Sequence, residues 1–594
     1  MMCGLRGIPA ISVRIIGVAL LVSIGIAGCT SKSKNESLNV LHIVADEKLK
    51  GLDPIYTNDL YSGIQSSQAY ETLLQYHYLK RPYELVPSLA QTLPTVSRDG
   101  LTYTFSLKKG VLFQDDPSFK LNEGKGREMT AEDVVYSFKR LADPKLSAPG
   151  WWVLDGKIVG LNAWRESVSN TVKTDYSIPV EGLKALDRYT IQLKLLRKSA
   201  QFLYSLAMPF TGIVPREAVE FYDREFINHA VGTGPFRLSE YNPNSRIVWD
   251  RNPTYRKELY PSEGDSDDQA LGYLEDAGKP LPMSDRIVVQ VITEKQPMWL
   301  NFLAGKLDFA GIPKDNFTSA ITPKKELSPE LAAKGIRLLK SAALDVTHGT
   351  FNLSDPLIGK NKFLRQAISM AFDEATFIDL FFNGRAIPAQ GPIPPGVDGY
   401  DAELENPYRK FNLVKAKELL VKAGYPEGEG LPPLEYATIS DSSARQQSEY
   451  FQKMMAGIGI SLTVNSYSWP QFQEVIKNKK AQLWEYAWSL DYPDAENMFQ
   501  LFYSKNVSPG SNDANYINPA FDRLYEKSSV LPAGPERTKT YGQMVKMLVE
   551  DCPWIFGAHR MSFVLIQPWL KNYKPNDFDH ARYKYYRIDT ALKK

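Results

Sequence analysis

The sequence contains few of the residues that build metal centres and covalent catalytic sites. Six histidines and three cysteines occur in 594 residues. No two histidines stand at metal-ligand spacing; the six are His42, His77, His229, His348, His559 and His580. Neither a G-x-S-x-G nucleophile elbow nor a Walker lysine loop is present. We therefore predict no enzyme, no metal and no cofactor.

Cysteine is too sparse for an internal disulfide once the N-terminal segment is considered. Arg6 and Arg14 precede an apolar run at 15–27 that is short for a membrane span, and Ile26-Ala27-Gly28-Cys29 resembles a bacterial lipobox. We predict a lipoprotein signal peptide at 1–28, lipidation of Cys29 and a polar tether at 29–37. The alternative is an ordinary signal peptide with an incidental cysteine. In the lipoprotein, Cys3 would leave with the signal and Cys29 would carry lipid, so Cys552 would have no partner for a disulfide.

Basic and acidic residues nearly balance. The chain has 70 lysines and arginines against 68 aspartates and glutamates, and removal of 1–28 would take away two arginines and no acid. No net field then favours nucleic acid or an anionic membrane surface. Because no later stretch is long and apolar enough to span a bilayer, we expect an extracytoplasmic protein attached to a membrane only by its lipid.

Hydrophobic periodicity predicts a mixed α/β chain. Residues 101–107 and 189–195 alternate as half-buried strands do, and 236–250 has the pattern of a hairpin. Thr130, with Asp133 three residues later, is typical of a helix start. A second helix is predicted at 414–423, ended by Gly424.

An acidic stretch at 262–282 contains Asp265, Asp267 and Asp268. A calcium loop is conceivable there, but the glycine and the distant glutamate that such a loop needs are out of register. We predict a solvated surface insertion instead.

A series of short motifs runs through the rest of the chain. They are Leu52-Asp53-Pro54, Tyr70-Glu71-Thr72-Leu73-Leu74, 101–113, 129–144, 232–236, 304–308, 363–371 and Trp488-Ser-Leu-Asp491-Tyr-Pro-Asp494. In this order and at these spacings, the chain resembles the extracellular solute-binding proteins of family 5, which serve oligopeptide and dipeptide ABC importers. The resemblance runs from about Leu38 into the C-terminal region. We expect most of these motifs to be scaffold and not ligand contacts.

The resemblance implies an α/β, two-lobed periplasmic-binding-protein-like fold of class II, with a hinge and an extra N-terminal α/β subdomain. It places domain I at 38–62, 188–335 and 553–594, the extra subdomain at 63–187, and domain III at 336–552. It further implies a monomeric receptor that binds peptide or another small solute between the lobes and delivers it to ABC transporter permease subunits.

The resemblance also implies the ligand-binding residues. Asp491 matches the acid that pairs with the ligand ammonium, with a turn-capping role as the alternative. Trp488 and Trp469 match aromatic residues that line side-chain pockets, and Tyr492 adjoins Asp491. The remaining candidates are Asn58, Leu60 and Tyr61, whose backbone is expected to pair with an extended ligand by strand addition, and Trp151 and Trp152 in the extra subdomain. Core packing is the alternative for each tryptophan.

One feature departs from the peptide-binding pattern. Relatives often hold the ligand carboxylate with arginine or histidine, whereas the matching positions here are Thr438, Ser443 and Glu485, with Arg445 nearby. Two other functions therefore stay open: a receptor for a non-peptide solute such as a sugar, an opine or a metal chelate, and a lipoprotein with a structural or chaperone role.

Overall fold

The computed structural model describes residues 38–57 and 59–593. The strands are β1 Val40–Ala45, β2 Leu74–Tyr76, β3 Leu85–Pro87, β4 Thr95–Val96, β5 Thr102–Ser106, β6 Leu183–Asp187, β7 Thr190–Lys194, β8 Phe236–Asn242, β9 Arg246–Arg251, β10 Arg286–Val291, β11 Phe309–Gly311, β12 Arg337–Ala342, β13 Asp345–Phe351, β14 Ala386–Pro388, β15 Leu434–Ile439, β16 Leu462–Tyr467, β17 Leu483–Ser489, β18 Trp554–Phe556, β19 Ala558–Ile566, β20 Leu570–Lys571 and β21 Arg587–Ile588. The helices are α1 Leu60–Ser66, α2 Ala131–Ala142, α3 Leu161–Ser169, α4 Phe202–Ser205, α5 Arg216–Tyr222, α6 Lys295–Leu303, α7 Phe317–Ala320, α8 Pro329–Ala333, α9 Lys362–Met370, α10 Glu374–Phe382, α11 Leu413–Lys422, α12 Ser442–Ala456, α13 Trp469–Lys477, α14 Glu496–Phe499, α15 Pro519–Ser528 and α16 Pro535–Asp551.

Lobe 1 is the part of the chain built on two four-stranded sheets, β1-β10-β9-β8 and β4-β5-β7-β6. In the first sheet β1 runs parallel to β10, and the other neighbours are antiparallel. Trp249 of β9 is fully buried and donates a hydrogen bond to Gln65 of α1 over 2.9 Å. The sheet and α1 therefore share one core.

Lobe 2 is the part built on the five-stranded sheet β16-β15-β17-β13-β18. One face of this sheet packs against α9, α10, α11 and α12 through a cluster that includes Phe351, Leu483 and Phe451. The chain passes between the lobes twice. Two residues separate β12 from β13, and Gly557 alone separates β18 from β19. The strands β12 and β19 pair with each other in a four-stranded sheet, in which β11 and β14 also pair with β19.

Several of the sequence motifs hold the scaffold together. Asp53 and Arg140 form a buried two-bonded ion pair of 2.7 and 2.6 Å, which joins the Leu-Asp-Pro segment to the end of α2. The fully buried Asp308 accepts hydrogen bonds from the His42 backbone, the Trp569 indole and the Lys593 ammonium. Buried charges of this kind need such partners.

A close backbone approach explains the glycines of the 232–236 motif. A Cβ on Gly232 would lie 2.0 Å from the carbonyl oxygen of Ala69, and one on Gly234 would lie 2.6 Å from that of Gln68. Only glycine fits at such distances. This contact fixes the start of β8 against the end of the α1 segment.

The predicted local elements are confirmed. The strands β5 and β7 pair antiparallel, β8 and β9 form the hairpin, and α2 begins with a capping box between Thr130 and Asp133. The helix predicted at 414–423 is α11, and Gly424 follows it with φ +92°.

The acidic stretch at 262–282 is less solvated than predicted. Lys574 of the C-terminal segment lies 2.8 Å from Asp265 and 2.7 Å from Asp268, and Asp268 is buried. Asp265 and Asp268 therefore form ion pairs with Lys574. Among residues 38–57 and 59–593, no three histidine, cysteine or acidic side chains are placed to hold a metal ion. Within the same residues, no helix combines the length and hydropathy needed to cross a bilayer.

Candidate functional site

The strand β17 has a partly open edge that leads to Asp491. On one side β13 accompanies it over its whole length, from Leu483 to Ser489. On the other side β15 pairs only with Leu483 and Trp484 and then diverges. In the described part of the chain, no strand pairs with the β15 side of residues 485–489. An extended segment could add there by main-chain hydrogen bonds.

Asn497 organises the loop that follows this strand. It is fully buried, and its Oδ1 accepts hydrogen bonds from the Trp488 indole at 3.0 Å and from the Asp491 backbone at 3.1 Å. Its Nδ2 donates to Asp491 Oδ2 at 3.0 Å. One amide therefore orients both the tryptophan and the carboxylate. Asn497 was not predicted from the sequence, because it lies six residues beyond Asp491 in no recognisable motif.

The carboxylate of Asp491 keeps one oxygen available. Among the described residues, Oδ1 accepts no hydrogen bond, while Oδ2 accepts the one from Asn497. Burial raises the pKa of Asp491, and the Asn497 hydrogen bond and the Lys157 ammonium oppose that rise. An added cation at Oδ1 would compensate the buried charge.

Lys157 of lobe 1 was also missed by the sequence analysis. Its Nζ donates to the Val153 carbonyl at 2.8 Å and to Ser205 Oγ at 3.2 Å. Burial lowers the pKa of Lys157 to about 8, and the carboxylates of Glu496 and Asp491 act in the opposite direction. Lobe 1 thus brings a cation into the electrostatic range of two carboxylates of lobe 2.

Tyr492 joins the two lobes. Its ring stacks on Tyr204 of α4, with centroids 5.6 Å apart and planes 6° from parallel, and its hydroxyl donates to Glu496 at 2.5 Å. Nearby, the Ala200 backbone donates to the Ser529 carbonyl at 3.0 Å. Tyr492 therefore occupies the boundary between the lobes beside Asp491.

The predicted tryptophans fall into three settings. Trp488 lines a small cavity on the sheet face opposite α12, together with Trp484 and Tyr486. Trp469 begins α13, stacks on Tyr486 at 5.9 Å and keeps 48% of its surface exposed.

Trp151 and Trp152 lie apart from that face, in a short 3-10 helix of lobe 1. Trp151 packs against the lobe 1 core. Trp152 is exposed, and its ring lies 5.7 Å from the Lys157 ammonium. Trp152 thus belongs with Lys157 on the lobe 1 side of the boundary.

The expected strand addition at Leu60 and Tyr61 is wrong. Both residues form the first turn of α1, which Asp59 caps by accepting a hydrogen bond from the Ser62 backbone at 2.8 Å. Helical residues do not present the alternating edge of a strand. A side-chain contact of Leu60 or Tyr61 with ligand stays a prediction. Asn58 and Cys29, with the predicted signal peptide and tether, lie outside the described residues.

The groups considered for a ligand carboxylate differ in their exposure. Arg445 is exposed on the first turn of α12, 3.7 Å from Glu449. Ser443 is exposed too, whereas Thr438 is buried in β15. Arg445 therefore faces solvent with its charge already paired.

Known proteins are similar to this chain in sequence and in fold. The chain is 27% identical over 534 residues to heme-binding protein A of Haemophilus influenzae, covering 88% of this chain and 87% of that one. It is 25% identical to di/tripeptide-binding protein 2 of Pseudomonas aeruginosa, with 92% and 95% covered. A periplasmic binding protein of Helicobacter pylori, associated with an ABC transporter and solved with the peptide STSA, superposes with a TM-score of 0.70 at 24% identity over 93% of this chain and 98% of that one.

The superposition confirms the predicted two-lobed α/β fold. The family model of the bacterial extracellular solute-binding proteins, family 5, matches residues 84–510. These residues contain strands β4 to β7 of lobe 1, and strand β17 and Asp491 of lobe 2. Since the match takes in the larger part of the sequence, the chain belongs to the bacterial extracellular solute-binding proteins of family 5.

Proposed function

We propose that this chain is the substrate-binding receptor of an ABC importer, and that it captures oligopeptides between lobe 1 and lobe 2 for delivery to the permease subunits. The observation that carries the proposal is the open edge of β17 that ends at Asp491. An extended peptide can pair with that edge through its backbone whatever its sequence. Its amino terminus then meets the free oxygen of a half-buried carboxylate.

The known ligands in the names of two relatives agree with this proposal. A di/tripeptide-binding protein and a dipeptide-binding protein are among them. The domain boundaries proposed for the receptor are those predicted from the sequence, with one change. The first hinge lies within 336–345, and the second is moved from near 550 to Gly557, because β18 pairs with β13 in the lobe 2 sheet. We further propose that the receptor is monomeric and carries no catalytic activity, since binding and release of an unchanged solute need none.

Native mass spectrometry of gently purified protein tests the ligand class. A ladder of co-purified peptide masses is expected, and calorimetry on protein stripped by unfolding and refolding should then show peptide binding. Haem is the comparison ligand, because the Haemophilus influenzae relative is named a heme-binding protein. A haem Soret band with no peptide masses and no heat from peptides would overturn the peptide proposal in favour of a metal chelate.

We also propose that Cys29 anchors the receptor to a membrane through lipid. Two or three acyl chains, at about 0.8 kcal/mol for each buried methylene, hold a protein stably at a bilayer. Fractionation of cells expressing the full gene or Cys29→Ser tests this. The Cys29→Ser protein should move to the soluble extracytoplasmic fraction, and identical membrane partitioning of both proteins would refute the anchor.

A further inference from the structure

A small pocket of about 30 Å³ lies beside Glu485, on the sheet face of lobe 2 that packs against α10 and α12. Two carboxylates and four aromatic rings contribute to its lining: Glu374, Glu485, Phe372, Phe377, Tyr436 and Phe451. This face is opposite to the one that carries Trp488, because side chains alternate along β17. The pocket therefore lies on the other face of the sheet from Trp488, although Glu485 belongs to β17, the strand that leads to Asp491.

The carboxylates of this pocket have acceptor atoms without donors. Glu374 is 6% exposed; its Oε2 contacts the Arg409 guanidinium, whereas its Oε1 has no hydrogen-bond partner among the described residues. The side chain of Glu485 likewise accepts no hydrogen bond within the described part of the chain. A carboxylate removed from water without donors is costly, and Glu374 is buried while Glu485 is half-buried. The carboxylates of Glu374 and Glu485 can therefore each accept a hydrogen bond from a ligand.

The charges around the pocket leave Glu485 uncompensated. Burial raises the pKa of Glu374 to about 7, the Arg409 guanidinium opposes that rise, and Asp373, which precedes α10, adds to it. His348 of β13 is buried, which lowers its pKa to about 3 and leaves it uncharged near neutral pH. Tyr436 of β15 contributes only a neutral phenol, whose pKa burial raises well above its usual value. Burial and the Glu374 carboxylate raise the pKa of Glu485 to about 7.

We propose that this pocket takes a cationic side chain of the ligand, an ammonium or a guanidinium, with Glu485 and Glu374 Oε1 as the acceptors. This inference rests on the proposed peptide-receptor function. Charge-assisted hydrogen bonds would satisfy both carboxylates, and the aromatic walls add cation–π attraction. The apolar lining also suits the methylene stem of lysine or arginine.

The position of Glu485 puts the pocket within reach of a bound peptide. Glu485 is the first residue of the open edge at 485–489. A ligand that starts at Asp491 and runs back along β17 covers about 13 Å between Ser489 and Glu485, or roughly four of its residues. The cationic residue is therefore expected near the third to fifth ligand position.

Calorimetry at pH 8 with penta-alanine peptides tests the assignment. Each peptide carries one lysine at positions two to five, or norleucine at the same position as the uncharged isostere. The proteins are wild type, Glu485→Gln, and Glu474→Gln as the matched control, because Glu474 is exposed on α13 of the same lobe. Thermal melting of all three proteins checks folding.

Wild type and Glu474→Gln should bind the lysine peptide with a dissociation constant roughly tenfold to hundredfold lower than the norleucine peptide at one position. Glu485→Gln should lose this preference and still bind the norleucine peptides as wild type does. The preference in wild type should fall at least roughly tenfold between pH 8 and pH 6, because burial raises the pKa values of Glu485 and Glu374 to about 7 and both carboxyls must lose their protons to meet the cation.

Two results would overturn the inference while the peptide proposal stands: equal binding of lysine and norleucine peptides to wild type, or a preference that persists in Glu485→Gln. A failure of every peptide to bind would overturn the proposed function, and the pocket assignment with it.

Discussion

The sharpest test of the proposed site is the substitution Asp491→Asn. It keeps the shape of the side chain and removes its charge. In the structure, Asn497 Nδ2 donates to Asp491 Oδ2, so the new amide must turn its oxygen toward Asn497. Its NH2 group then stands where Oδ1 was, and it presents a donor to the ligand ammonium, which is itself a donor.

The expected loss follows from that exchange. A buried charge-assisted pair becomes two opposed donors, and the ammonium stays without its counter-charge, so binding should weaken by about 2–5 kcal/mol. In the dissociation constant, this is a factor of roughly 30 to several thousand. Stability should not fall, because burial already raises the pKa of Asp491 and disfavours its charge. A melting temperature equal to or above that of wild type would separate lost binding from lost folding.

Calorimetry on four combinations gives the result: wild type and Asp491→Asn, each with a peptide and with its N-acetylated form. Acetylation should cost wild type about as much as the mutation does, and the two losses should not add, because they remove the same contact. Asp379→Asn, exposed on α10, should bind both peptides as wild type does. Additive losses would mean that Asp491 and the amino terminus do not meet, and Asp491 would then be a turn-forming residue.

Two further predictions concern the scaffold and the lobes. Arg140→Met leaves the buried Asp53 carboxylate unpaired and should destabilise the protein by about 3–5 kcal/mol in denaturant unfolding; adding Asp53→Leu should restore part of this, and no restoration would refute the ion-pair account. Tyr204→Ala removes the ring that stacks on Tyr492, worth about 0.5–1.5 kcal/mol, and should increase the radius of gyration of ligand-free protein in small-angle scattering. Tyr241→Ala, confined to lobe 1, should leave it unchanged, and equal profiles for both variants would contradict a role of the stack between the lobes.

The scaffold was predictable because its signals are local. A capping box needs only Thr130 and Asp133 three residues apart, and a half-buried strand shows itself by alternation, as β5 does. The glycines at 232 and 234 marked a close approach, although the sequence did not name Ala69 as its partner. The family resemblance supplied the two lobes, which no local pattern specifies.

The expectation that a ligand adds as a strand to Leu60 and Tyr61 was wrong for a physical reason. Its only support was the resemblance, while the sequence itself contains a helix signal: Asp59 stands immediately before Leu60 and caps α1. A local capping signal should have outweighed a contact inferred at a distance. By the same reasoning, the Asp491 site after β17 is better supported, because its strand pairing and its loop geometry are both determined by nearby residues.

The site residues missing from the sequence analysis are those whose roles depend on tertiary contacts. Asn497 acts by bonding to two groups at once, and Lys157 acts across the boundary between the lobes. Their arrangement gives lobe closure an electrostatic component, since Lys157 of lobe 1 attracts the Asp491 and Glu496 carboxylates of lobe 2. A ligand ammonium at Asp491 would share that carboxylate with Lys157. The charge proposed to bind the ligand would therefore also affect how the lobes come together, and a purely local pattern cannot encode such a shared contact.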